Sequence, residues 1–253
     1  MNHAVCNLGQ PGKDEPMQVK VMLCLFVALL VGRAESLPRE HSHPIVTIEY
    51  SELFDRAHAQ AAKEPATEEA MQELKRRLPE LRSAWESGGP VRLQETIKVV
   101  GKPLLFRETV ATVIASRLPS MSSPLIINGR PYLNATAKEG AMPTTVFVQV
   151  VFHEVLHRYV RDLIAARPDA ATPLLEKYSD ETAHVRNHLH VAAIEILVAR
   201  RLQRDDEYRE YLKLEASLAT AAGLARAKEI VQREGPEQFI DDLRGGTSAE
   251  GRK

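Results

Sequence analysis

A chain of 253 residues, 44% of them hydrophobic, is long enough for one domain with a substantial core and not obviously long enough for two. With 33 basic against 34 acidic residues, the formal net charge is −1 and neither sign is concentrated in one segment, so no nucleic-acid partner is expected. Both cysteines, Cys6 and Cys24, lie before or within an apolar amino-terminal run, so a protein cleaved after that run would have neither a disulfide nor a thiol nucleophile.

The amino-terminal segment predicts export. Residues 21–32, VMLCLFVALLVG, form an apolar run that is too short to cross a bilayer comfortably. Small residues at Gly32 and Ala34 suit signal peptidase, so residues 1–34 are predicted to be a signal peptide cleaved after Ala34. Met17 is an alternative start, because it begins a short basic leader. We expect a periplasmic or secreted protein, and a membrane anchor formed by an uncleaved signal is the alternative.

The next segment combines an extended arm with a first strand. Residues 36–44 predict the arm, in which His41 and His43 form an HxH pair that could chelate a metal, although such a pair at a chain terminus is more often solvated. Residues 45–50, IVTIEY, alternate and are rich in branched side chains, which predicts a strand.

The following region predicts a long helix and then mixed elements. Residues 64–88 favour a helix that Thr67 caps and that the glycines at 88 and 89 stop. Residues 92–100 could form a strand, and residues 109–118 fit either element.

A hairpin is predicted before the middle of the chain. Residues 124–127, PLII, indicate a short strand. The dipeptide Asn128-Gly129 is typical of a tight hairpin turn, so residues 132–137 are predicted to return as the second strand.

Residues 144–167, TTVFVQVVFHEVLHRYVRDLIAAR, predict a helix that is apolar on nearly every side and ends before Pro168. Inside it His153 and His157 are four residues apart, so both imidazoles project from one helix face and can reach one metal ion. Glu154 points toward the remaining coordination position. A carboxylate there can take a proton from a metal-activated water and pass it to a leaving amine.

Residues 153–157, HEVLH, resemble the HExxH signature of the zincin metallopeptidases. The resemblance covers this helix and one later helix. It implies zinc as the cofactor, His153 and His157 as ligands and Glu154 as the general base. It also implies a peptide or protein substrate that pairs with an edge strand preceding the motif helix, and the hairpin over residues 124–137 is the candidate for that edge.

A third zinc ligand is expected on residues 179–204, which predict a second helix. At about 100° per residue its arginines cluster on one side and define the solvent face. Glu195 lies in the middle of the opposite, apolar face, where a carboxylate needs compensation, and is therefore the first candidate. His188 on the same face is the alternative, and His190, toward the arginine side, is the weakest of the three.

A glutamate ligand on the helix after the motif resembles the gluzincin branch of the zincins. Two positions differ from that branch: Ala199 replaces an acid that is common one turn later, and Ile194 replaces a frequent asparagine. His188 as the ligand, with Glu195 hydrogen-bonded behind the ligands, therefore stays open. The metzincin branch is disfavoured, because residues 158–163, RYVRDL, contain neither glycine nor histidine.

The remaining candidates are two tyrosines and a helical carboxyl-terminal region. Tyr159 and Tyr178 could each donate a hydrogen bond to an oxyanion, and packing is the alternative role of both. Residues 208–221 and 224–233 predict two helices, a last short helix follows with the sequence PEQFIDDL, and residues 245–253 predict a disordered tail.

The sequence therefore predicts an α+β fold, zincin-like, in which a small strand-containing N-terminal half packs on a mostly helical C-terminal half within a single domain over residues 35–244. We expect a zinc-dependent peptide-bond hydrolase that uses metal-activated water and a glutamate base. The alternative is an exported metal-binding scaffold or interaction protein without catalytic activity. A membrane span is not expected once the signal is cleaved.

Overall fold

A computed structural model describes residues 43–61, 65–137, 140–167, 172–217 and 221–245, all of which belong to one compact unit. The predicted signal peptide, most of the arm with His41, and the tail after residue 245 lie outside the described residues. Within the part of the chain that is described, no helix combines the length and the apolar character needed to cross a bilayer.

The N-terminal half contains a four-stranded sheet with the strand order β1-β2-β4-β3. The strands are β1 (Ile45–Tyr50), β2 (Glu108–Ile114), β3 (Met121–Ser122) and β4 (Leu125–Asn128). β1, β2 and β4 are parallel, whereas β3 pairs antiparallel with β4 and forms one edge of the sheet. The predictions of a first strand and of a strand near residues 124–127 are confirmed.

The predicted hairpin over residues 124–137 is wrong. After β4 the chain enters a 3₁₀ helix, Arg130–Tyr132, and residues 132–137 form turns instead of a strand. A two-residue hairpin turn of the Asn-Gly type needs positive φ at both positions, but Gly129 has a φ of −80°. The Asn128 side chain instead accepts a hydrogen bond from the Arg130 N–H. The antiparallel edge strand is therefore β3, which precedes β4.

Helices make up most of the other described residues, and α2 is longer than predicted. The helices are α1 (Glu52–Ala61), α2 (Glu68–Val100), α3 (Thr144–Ala165), α4 (Pro173–Lys177), α5 (Ala183–Leu202), α6 (Asp205–Ala216), α7 (Ala221–Glu234) and α8 (Pro236–Arg244). Thr67 caps α2 as predicted, since its hydroxyl accepts the Ala70 N–H. The predicted strand at residues 92–100 is wrong: this segment buries Leu93, Thr96 and Val100, a spacing that fits a helix.

The two glycines predicted to stop α2 lie inside it. Their neighbours leave little room for a side chain, which explains why these positions are glycine. A Cβ at Gly89 would lie 2.5 Å from the Trp85 ring. A Cβ at Gly88 would lie 3.1 Å from a methyl group of Val148, which belongs to α3. Gly88 therefore permits α2 and α3 to pack at close range, whereas Gly89 leaves room for the Trp85 ring, and both glycines lower the helix propensity of α2.

The core lies between the sheet and these two long helices. α2 packs on β1, whereas α3 packs on β4 and on the edge strand β3. α5 in turn packs against both α2 and α3. The protein is thus a mixed α/β structure with a small sheet in the N-terminal half and helices in the C-terminal half, as predicted. This packing holds the predicted metal helix beside the sheet edge.

Asp55 on α1 fixes the segment that leaves β2 toward that edge. Its buried carboxylate accepts the N–H of Ala115 at 2.7 Å and the N–H of Ser116 at 3.0 Å. These amides lie just past the last residue of β2, and a buried N–H without a partner is costly. Asp55 therefore supplies hydrogen bonds that the sheet ladder no longer provides.

We expect Asp55→Ala to lower the free energy of unfolding by about 2 to 4 kcal/mol, because it leaves two buried amides without an acceptor. Glu52→Ala, an acid-to-alanine change on the same helix at a surface ion pair, is the matched control and should change stability much less. Urea unfolding followed by circular dichroism measures both. Equal losses in the two variants would contradict the structural role of Asp55.

Candidate metal centre

The motif helix α3 is buried on nearly every side, as its sequence predicts. Its N-terminal half packs apolar side chains against α2 and the sheet, and its buried residues include Val151, Phe152, Val155 and Leu156. His153 and Glu154, between these residues, are only 7% and 8% exposed. Two ionisable groups at such depth need compensating partners. The partner of His153 is the Glu195 carboxylate, which comes from α5.

Three histidines meet at one point between α3 and α5. The Nε2 atom of His157 lies 3.0 Å from Nε2 of His153 and 3.1 Å from Nε2 of His188. The three nitrogen atoms all lie within 4.8 Å of one another. The structure therefore brings together the two motif histidines and His188, which the sequence offered as an alternative third ligand.

Hydrogen bonds on the far side of two of these rings decide where their protons are. Nδ1 of His188 lies 2.7 Å from the carbonyl oxygen of His184, which can only accept, so Nδ1 carries the proton. Nδ1 of His153 lies 3.0 Å from a carboxylate oxygen of Glu195 and donates to it in the same way. In the neutral rings, both Nε2 atoms are then lone pairs that point toward His157.

Burial keeps two of the rings neutral. It lowers the pKa of His157 to about 2, with a further contribution from the neighbouring histidines. It likewise lowers the pKa of His188 to about 3. Burial acts in the same direction on His153, but the adjacent Glu195 carboxylate outweighs it and raises the pKa of His153. This ring therefore attracts positive charge, whether from a proton or from a metal ion.

The spacing of the three nitrogen atoms fits a tetrahedral metal. A Zn–N bond of about 2.0 to 2.1 Å places two ligands of a tetrahedral ion about 3.3 Å apart. The measured separations of 3.0 and 3.1 Å are within a few tenths of an ångström of that value. A single proton on His157 Nε2 cannot form two linear hydrogen bonds to both lone pairs, whereas one cation can satisfy all three. The donor set therefore suits zinc.

Glu195 lies behind His153 rather than beside the other Nε2 atoms. Its Oε1 atom accepts hydrogen bonds from His153 Nδ1 and from Gln149 Nε2, each at 3.0 Å. Burial acts to raise its pKa, but the charges of His153 and Lys228 lower it, so the carboxylate is ionised. Glu195 also forms a second potential ligand group with His153 and Glu215. Glu215 is already paired with the Lys228 ammonium, so the charge of its carboxylate is balanced without a metal ion.

The other predicted site residues point elsewhere. His190 is buried rather than near solvent, because α8 covers it and Asp242 contacts its Nε2 at 2.8 Å. The Tyr159 hydroxyl donates to the carbonyl of Lys102 at 2.7 Å. The Tyr178 hydroxyl donates to a carboxylate oxygen of Glu234 at 2.5 Å. His43, the described member of the HxH pair, lies 3.0 Å from the carbonyl oxygen of Pro44.

A cavity of about 440 Å³ opens beside the histidine cluster. Glu154 lines it together with the three histidines, and burial raises the pKa of Glu154 to about 7. The edge strand β3 contributes Met121 and Ser122 to the wall of the same cavity. The motif carboxylate, the histidine cluster and the sheet edge therefore share one space.

Helix α6 supplies site residues that sequence reasoning missed. Tyr211, Leu214 and Glu215 all line the cavity, and the Tyr211 ring lies 5.9 Å from the His153 ring. Among the described residues, the Tyr211 hydroxyl has no hydrogen-bond partner. Burial raises its pKa well above the ordinary value, so the phenol remains a donor. The four-residue spacing of Tyr211 and Glu215 places them on one helix face, which was the available signal.

We expect purified protein to bind about one zinc ion per chain, as its geometry indicates. His188→Ala should weaken zinc affinity by more than about 100-fold, whereas Glu195→Gln, which removes the acceptor behind His153, should weaken it by about 10- to 100-fold. His190→Gln is the matched control from the same helix and should bind zinc normally. Competition against a chromophoric chelator measures all three. A larger loss in Glu195→Gln than in His188→Ala would identify Glu195 as the third ligand instead.

No protein-family model, curated protein or solved structure matches this chain. The case for a metal centre therefore depends on the geometry of this site and on the spacing of its motif. The geometry consists of three converging imidazoles, two hydrogen-bond acceptors behind them and a buried carboxylate in a shared cavity.

Proposed function

We propose that this protein is a zinc-dependent peptide-bond hydrolase in which His153, His157 and His188 hold the metal and Glu154 is the general base. The observation that carries the proposal is the convergence of three imidazole Nε2 atoms beside a buried carboxylate in one cavity. Zinc in such a site supplies a Lewis acid that activates water at neutral pH and polarises a carbonyl group. On the strength of residues 1–34, the protein acts outside the cytoplasm.

His188 is proposed as the third ligand in preference to Glu195. The nitrogen atom of His188 lies in the same small cluster as the Nε2 atoms of both motif histidines. Glu195 contacts His153 through Nδ1, on the side of the ring away from that cluster. A carboxylate in this position fixes the tautomer and the orientation of a ligand histidine. The resemblance to zincins then lies in the HEVLH motif, and the third ligand differs from the glutamate of gluzincins.

Glu154 is suited to move a proton at neutral pH. A general base works best when its pKa is near the operating pH, and burial raises the pKa of Glu154 to about 7. Its carboxylate would take a proton from the attacking water and deliver it to the nitrogen of the leaving amine. The pKa of an exposed glutamate, about 4.3, would leave a weaker base.

The edge strand β3 is proposed to bind the substrate backbone. It pairs on one side with β4 and lines the cavity, so its free edge can add an extended peptide in the manner of a further strand. β3 spans only Met121–Ser122, so it can form few backbone hydrogen bonds.

Tyr211 is proposed to donate a hydrogen bond from its hydroxyl to the developing oxyanion of the substrate.

Glu154→Gln should retain zinc and lower kcat by about 100- to 10,000-fold, because glutamine has nearly the same shape and cannot accept the proton. The measurement is cleavage of casein or of a peptide library, with zinc content determined on the same samples. A chelator should abolish wild-type turnover, and added zinc should restore it. An unchanged rate in Glu154→Gln would refute its role, and zinc binding without any wild-type turnover would favour the non-catalytic scaffold.

Tyr211→Phe should lower kcat by about 100-fold with little change in KM, because the lost hydrogen bond forms mainly in the transition state. Tyr178→Phe is the matched control, since that hydroxyl is bound to Glu234 and does not line the cavity. Steady-state kinetics on one peptide compares them. Equal rates for wild type and Tyr211→Phe would exclude the phenol as a donor.

A further inference from the structure

We propose that the cavity beside the metal centre selects a substrate residue with a large apolar side chain next to the cleaved bond. This inference rests on the proposed hydrolase function and names the substrate class that the same site takes. It depends on which elements form the cavity walls and on how Glu215 and Lys228 are paired.

Apolar side chains from several elements line the cavity. Met121 comes from the edge strand, Val150 from the motif helix, Leu214 from α6 and Leu224 from α7. Val150 lies one turn before His153, so the apolar wall begins beside the metal ligands. A substrate side chain that enters here leaves water for contact with hydrocarbon on several sides, which favours large apolar groups.

The Glu215–Lys228 pair argues against a basic side chain in the cavity. Glu215 lines the cavity, but one of its oxygen atoms accepts a hydrogen bond from Lys228 and the other is fully buried. Lys228 also lies 5.4 Å from the centre of the Tyr211 ring, which holds the ammonium behind the wall. A lysine or arginine of the substrate would therefore find a carboxylate whose charge is already neutralised.

Acidic side chains are disfavoured for a different reason. Two carboxylates, Glu154 and Glu215, lie in the cavity wall. Among the described residues that line the cavity, there is neither a lysine nor an arginine, and Lys228 is engaged by Glu215. Apart from the proposed zinc ion, which the carbonyl group of the cleaved bond would contact, a substrate carboxylate would lose its hydration without gaining a cationic partner from the wall. Of the three classes of side chain, an apolar one is thus the class that this wall favours.

The first test uses zinc-loaded wild-type protein and four small hydroxamic acids that chelate the metal and differ in their side group. These are acetohydroxamic acid, 3-phenylpropionohydroxamic acid, a carboxyl-terminated analogue and an amine-terminated analogue, and calorimetry measures their binding. We expect the phenyl compound to bind at least about tenfold more tightly than the other three. Equal affinities, or tightest binding of a charged analogue, would overturn the proposed selectivity. A zinc-loaded protein that binds none of the four would instead count against the proposed metal site.

The second test changes the wall. Leu224→Ala should lower the preference for the phenyl compound over acetohydroxamic acid by about tenfold and leave the affinity for acetohydroxamic acid unchanged. Leu53→Ala is the control, because Leu53 is 82% exposed on α1 and does not line the cavity. Lys228→Met keeps an unbranched side chain that is one atom shorter, removes the ammonium group and so frees the Glu215 carboxylate. It should raise the affinity of the amine-terminated analogue at least about tenfold, and no gain would overturn the role assigned to this pair.

Discussion

A histidine cluster can hold a metal only when the nitrogen atoms that face its centre are unprotonated. In this protein two hydrogen bonds on the outer side of the cluster meet that condition, one from His153 to Glu195 and one from His188 to the carbonyl of His184. Both acceptors belong to α5, as does His188 itself. The registration of α5 against α3 is therefore the constraint on which the site depends. A shift of one residue along α5 would move every one of these groups away from the motif histidines.

The buried carboxylates around the histidine cluster lower the stability that the same volume of apolar side chains would give. Glu154, Glu195 and Glu215 are all buried, and each carboxylate must be compensated. Lys228 compensates one of them, and the imidazole of His153 compensates another. Apolar residues of similar volume would remove these costs, since buried ion pairs add little to stability. Such concentrations of buried ionisable groups beside a cavity are typical of functional sites.

The sequence predicted the site best where all the residues of a motif lie on one helix. The HEVLH spacing and the apolar context predicted α3 with two candidate ligand histidines, and the structure brings both to one point. The choice between His188 and Glu195 stayed open because helical periodicity gives the face of a side chain but not the atom that it meets. Their roles differ only through tertiary contacts: His188 reaches Nε2 of His157, whereas Glu195 reaches Nδ1 of His153.

Residues remote from the motif could not be predicted in this way. Tyr211 comes from a helix whose composition is ordinary, and only packing places it beside a histidine distant in sequence. The edge strand was misplaced by a different error. The Asn128-Gly129 pair was interpreted as a hairpin turn, but its backbone has negative φ at the glycine and leads into a 3₁₀ helix. The Gly129 N–H instead donates a hydrogen bond to the carbonyl of Ile114, the last residue of β2, and so extends the pairing of β2 with β4. This tertiary contact overrides the local turn propensity.

The contact between Gly88 and Val148 has a consequence for protein engineering. Replacing a glycine inside a helix by alanine is a common way to raise thermal stability, worth about 1 kcal/mol from helix propensity alone. At Gly88 the added methyl group would press on the motif helix five residues before His153. Substituting Gly88 to raise thermal stability would therefore disturb the histidine cluster, which the glycine itself does not contact, and libraries should leave it fixed.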